Sequence, residues 1–165
     1  MSDNVVIPLH AAAATISLLL GAYNLLRRAR GDRAHRLAGR VWVAAMYCTI
    51  LSSFAIRALN PGHFSWIHGL SVFTFVTLSI GLWAAVTGRV RTHRRFMTGS
   101  YLGLLGAFAG AVVVPQRDIP QWIVHRPGGL TLGALGCVAV AGLVVLAARR
   151  GAAPYDQASP ERVRQ

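Results

Sequence analysis

Of the 165 residues, 54% are hydrophobic and only 13% charged, with a mean hydropathy of +0.48, whereas a soluble domain of this length carries about one quarter charged residues. All seventeen basic residues are arginine, against five acids, for a net charge of +12. In a soluble chain that excess would suggest nucleic acid, but these arginines lie in the gaps between apolar runs rather than along one polar face, which sets that partner aside.

Five runs are long and apolar enough to cross a hydrocarbon layer of about 30 Å, which takes roughly 17 to 25 helical residues. They cover 5–26, 41–59, 66–86, 98–114 and 130–148, and none contains Asp, Glu or Lys. A segment in lipid must satisfy its own backbone, and no strand-like alternation is present, so helices are expected throughout. The opening "MSDNVVIPLH" has no basic leader and no small-residue cleavage site, so the first run is expected to stay in the mature chain. Cys48 and Cys137 both fall inside apolar runs and read as buried thiols. The polar, proline-containing segment 151–165 reads as a disordered cytoplasmic tail after one transmembrane domain, 1–150.

Arginine placement sets the expected orientation. Six lie between the first and second runs, four between the third and fourth, and four after the fifth, while only Arg57, Arg117 and Arg126 fall on the opposite side. The reading is an all-α integral membrane bundle of five transmembrane helices, N-terminus out and C-terminus in, in a bacterial cytoplasmic membrane. The bilayer is the first partner, with anionic headgroups meeting the inner arginines. Small residues at four-residue spacing (Gly99, Gly103, Ala107; Gly129, Gly133, Cys137, Ala141) predict a close contact between the last two helices or a homo-oligomer seam.

Topology explains the arginines but not the six histidines. His10, with Ser17, Gly21 and Asn24, marks a polar stripe on the first helix; His68 stands near the outer start of the third, with Ser71 and Ser79 beyond it. His63 and His125 fall in outer loops, and Arg57 lies near the outer end of the second helix. Such stripes should face the bundle interior. Two opposed imidazoles, His10 and His68, can hold a haem b iron, and the four outer histidines without acids suit copper or zinc. A histidine beside Arg57 can also receive an anionic or quinone-like headgroup. A second haem would call for another histidine deeper on the same two helices; Asn24, Ser79 and Trp83 stand there instead, so one outer haem is the expectation. On the inner side, His35 and His93 each precede an arginine where a helix is about to begin, and read as ties between two inner loops. Phosphate-cradling glycine loops, GxSxG and HExxH are absent, which argues against ATP-driven or hydrolytic chemistry.

"HRLAGRVWV" at 35–43 and "HRRFMTGSYLGLLGA" at 93–107 resemble the paired signatures of a family of small bacterial membrane proteins catalogued as domain of unknown function 2306. The likeness rests on His10, His35, Arg36, Gly39, Arg40, His93, Arg94, Arg95, Met97, Ser100 and Tyr101, over about residues 8 to 115. Phe96 departs from it where a Trp is common. The resemblance implies a histidine-centred site that includes His35 and His93, without naming a reaction. Three functions are compatible with these residues: a haem- or metal-binding redox protein, a non-catalytic scaffold whose His/Arg segments meet lipid or a membrane partner, and a small-solute carrier. The carrier is disfavoured, since no helix has the mid-membrane break of transporter sites.

Overall fold

The computed structural model describes residues 3–56, 66–113 and 127–150, and among them the chain forms helices and no strands. In chain order these are α1 (Asp3–Leu26), α2 (Arg33–Ala55), α3 (Trp66–Val86), α4 (Val90–Val113) and α5 (Pro127–Arg150). Helices α1, α2, α3 and α5 are long and apolar enough to cross a membrane. Helix α4 opens with Arg91, Arg94 and Arg95, after which 96–113 is free of charge.

Two of the helices begin earlier than hydropathy implies. The segments "HRLAGR" and "THRRFM" are not loops: they form the first turns of α2 and α4. Hydropathy finds the part of a helix that lipid can accept, whereas caps decide where the helix starts. Asp32 caps α2, its Oδ1 accepting the His35 amide at 2.8 Å, and the same carboxylate pairs with Arg27, which also donates to the Tyr23 hydroxyl at 2.7 Å. On the other hairpin, Gly88 takes a left-handed φ of 72°. The Arg89 amide then reaches Ala84 O at 2.8 Å and the Gly88 amide reaches Ala85 O at 3.4 Å. This crossed pair of bonds ends α3 and turns the chain straight into α4.

Packing follows a ring. Helix α1 meets α2, α2 meets α3, α3 meets α4 and α4 returns to α1, while neither α1 and α3 nor α2 and α4 approach each other. The two hairpins are the closest pairs. Leu20, Trp42, Met46, Ile50, Leu78, Tyr101 and Leu104 form the core of this ring. Trp42 Nε1 donates to Ser17 O at 2.9 Å, so even the largest core side chain leaves no orphan donor. Short polar bonds join neighbouring helices: Ser53 to Ser71 (2.7 Å), Tyr47 to Ser79 (2.8 Å) and Thr77 to Ser100 (3.3 Å).

Helix α5 packs outside the ring on α1 and α2, burying Cys137, Ala141 and Ala148. It does not touch α4, which corrects the expected contact between those two helices. A Cβ added at Gly99, Gly103, Gly106, Gly110, Gly129, Gly133, Gly136 or Gly142 would meet nothing within 4 Å. Four-residue spacing puts small residues on one helix face but does not say which neighbour, if any, that face meets.

Candidate functional site

The capped starts of α2 and α4 place His35 and His93 within the first two turns of helices on opposite corners of the ring. Their backbones are far apart, yet the imidazoles meet across the bundle axis, with ring centroids 6.5 Å apart and planes at 88°. His93 Nδ1 lies 2.9 Å from Gly81 O. A carbonyl can only accept, so Nδ1 carries the proton and Nε2 is left with its lone pair. Gly81 allows this approach, since a Cβ there would stand 2.9 Å from Met97 Cε and 3.2 Å from Phe96 Cβ.

His35 is held less completely. Its Nδ1 is buried without a hydrogen-bond partner, and so is Asn24 Oδ1 on α1. Asn24 lies against Gly39, one turn along α2 from His35, with its Nδ2 3.8 Å from where a Cβ on Gly39 would be. Both polar atoms are therefore left over at this end of the ring. Around the pair, Arg36 donates to Gly31 O at 2.7 Å. Arg36, Arg40, Arg94 and Arg95 are exposed, so the charged heads of α2 and α4 point away from the pair.

At the far end of the ring, His10 Nδ1 lies 2.9 Å from Ser52 Oγ, joining α1 to α2. Ser52 Oγ already donates to Cys48 O at 2.7 Å. The imidazole and the hydroxyl thus join α1 to α2 next to the carbonyls of Cys48 and Thr49. His68 stands in the first turn of α3, on the corner opposite α1; its side chain, and Arg57, His63 and His125 entirely, lie outside the described residues. Among the described residues no group of three or more His, Cys, Asp or Glu could hold a bare metal ion.

Sequence reasoning sought a second histidine on the helices that already had one. His35 and His93 occupy the other two corners, at the other end. A signal for this was present: both sit three or four residues into a helix, each followed by arginine. Gly81, Ser52 and Asn24, which orient or complement the rings, carry no such mark.

The chain belongs to the DUF2306 family of predicted membrane proteins, whose model matches residues 7–148 and so takes in α5 beyond the segment that carries the two histidine motifs. No curated protein and no solved structure matches it.

Proposed function

We propose that the chain is a haem-carrying electron-transfer protein of the bacterial cytoplasmic membrane, with His35 and His93 as axial ligands of a haem at its inner end. The observation that carries this reading is the meeting of the two rings across a diagonal of the ring of helices. Two imidazoles bound to one iron, with metal–nitrogen bonds of about 2 Å on each side, hold their centroids roughly 6 Å apart; the observed separation is 6.5 Å. A bare ion needs three or four protein ligands, whereas a haem brings four equatorial nitrogens and asks the chain for two. An edge-to-face ring contact alone would span a similar distance.

The same reading has α4 as a fifth span and puts the N-terminus outside. The arginine heads of α2 and α4 then rest among anionic headgroups. Exposed Arg91, Arg94 and Arg95, on one face of α4 with Thr98 and Leu102, support that lipid contact. They also favour the second reading, a scaffold whose arginine face meets lipid or a membrane partner with nothing ligated.

An absorption spectrum of the detergent-purified protein, taken before and after dithionite, separates the two. The haem reading expects a Soret band that sharpens on reduction and weakens or disappears in His93→Ala. A colourless protein from haem-replete cells overturns it and leaves the scaffold.

A further inference from the structure

We infer that the crevice between the C-terminal ends of α1 and α5 binds one anionic phospholipid, its phosphate held by Arg149 and Tyr23. The inference is independent of the haem and holds equally for a scaffold.

Helices α1 and α5 pack against each other, and both are long and apolar enough to be spans. They run parallel. Cys137 Sγ lies 3.8 Å from Ala12 O, and Arg149, twelve residues after Cys137, lines a crevice with Tyr23, eleven residues after Ala12. Two parallel spans bring their C-terminal ends to the same face of the membrane. The crevice formed there has a volume of about 440 Å³ and is lined by Tyr23, Leu26, Arg27, Ala29 and Arg149. Sites for small ligands enclose roughly 300 to 1,000 Å³, mostly apolar, with a few fixed polar groups.

The two arginines play different parts. Arg27 is committed within the chain: it donates to Ala29 O and to the Tyr23 hydroxyl, each at 2.7 Å, and pairs with Asp32. Its charge is thereby balanced, and it fixes Tyr23. Since that hydroxyl accepts from Arg27, its own proton is left to donate. Arg149 has no ion pair or hydrogen bond among the described residues. Its backbone is nevertheless held in place, because Ala148 is buried and Val145, one turn earlier, packs on the core. Helix C-termini are partly negative, so an anion here is drawn by the side chains alone.

The crevice therefore offers one unbalanced positive charge on a planar fork of N–H donors, one hydroxyl proton and the exposed side chain of Leu26. A phosphodiester matches the polar part, carrying one negative charge on oxygens that a guanidinium meets two at a time. Leu26 and the ends of two spans match the rest, since apolar chains attached to that phosphate lie beside them. A basic pocket between spans, at the level where they leave the hydrocarbon, is where lipid headgroups lodge. Arg150 is a built-in comparison: it is equally exposed but does not line the crevice.

The test is native mass spectrometry of the full chain, stripped of lipid in neutral detergent and given phosphatidylglycerol, phosphatidylcholine or inorganic phosphate in turn. Wild type is expected to retain one phosphatidylglycerol per chain and to bind phosphatidylcholine at least about tenfold more weakly. Arg149→Gln should weaken phosphatidylglycerol by about tenfold or more, the scale of one hydrogen bond to a charged group, while Arg150→Gln stays within about twofold of wild type. Tyr23→Phe, which keeps the ring and removes the hydroxyl, should give a smaller loss than Arg149→Gln; unchanged affinity overturns its part. Equal losses in Arg149→Gln and Arg150→Gln reveal diffuse surface charge and overturn the site. Phosphatidylcholine bound as tightly as phosphatidylglycerol overturns the recognition of charge. Inorganic phosphate bound where phosphatidylglycerol is not overturns the lipid in favour of a free anion. None of these outcomes bears on the haem spectrum, so the two readings fail separately.

Discussion

The glycines of the ring interior and those of the outer faces of α4 and α5 make opposite demands on their surroundings. At Gly21, a Cβ would lie 2.4 Å from Tyr101 Cδ2 and 2.7 Å from Trp42 Nε1. At Gly103 or Gly136 it would meet nothing within 4 Å. The first kind lets α1 accept two aromatic side chains from α2 and α4 against its backbone. The second leaves a smooth, backbone-rich surface on helices that do not touch each other. In lipid, where water exclusion cannot drive helices together, only the first kind is already committed to packing within the chain.

Substitution by size breaks or sharpens this contrast. The largest effect is expected at Gly21→Val. Three added carbons collide with ring atoms that have no empty space to enter, and overpacking of this kind costs about 3 kcal/mol or more. The thermal midpoint in detergent should fall sharply, or folded protein should fail to accumulate. Gly81→Ala comes next, at about 1 to 2 kcal/mol, because its nearest neighbour is the flexible end of Met97, with Phe96 Cβ behind it at 3.2 Å. It also pushes the Gly81 carbonyl away from His93, so a haem held there, as proposed, would show a weaker or shifted reduced Soret band. Shortening Met97 in the same chain should restore part of the stability. The smallest effect belongs to Gly103→Ala, within about 0.5 kcal/mol of wild type, as for a surface change with nothing to displace. A marked loss there, with a lower mass by light scattering, would mean that the open face is a seam between copies.

What could be read from the residues divides along the same line. Hydropathy located the five helices of the described residues, because an uncharged run of about twenty residues has few other uses. The interior stripe of α1 was also legible. Ser17 is fully buried, Gly21 is under two aromatic rings, Asn24 faces Gly39 and His10 reaches Ser52. The starts of α2 and α4 were not legible from apolarity, since a capping carboxylate at Asp32 and a left-handed Gly88 decided them. The pairing of His35 with His93 was legible as a tie between two inner segments, but not its place across a diagonal of the ring. That depends on which helices stand at opposite corners, a property of the ring as a whole that no local spacing encodes.

The plan of the two hairpins carries a consequence for descent. Each has one histidine near the start of its first helix, His10 or His68, and a His–Arg pair in the first turns of its second, at 35–36 or 93–94. A two-fold axis along the membrane normal would exchange α1 with α3 and α2 with α4. The observed pair, His35 with His93, would then join symmetry-equivalent positions, as in a self-complementary dimer. A single ancestral hairpin, dimerising about that axis before duplication and fusion, would have had this pair of imidazoles from the outset.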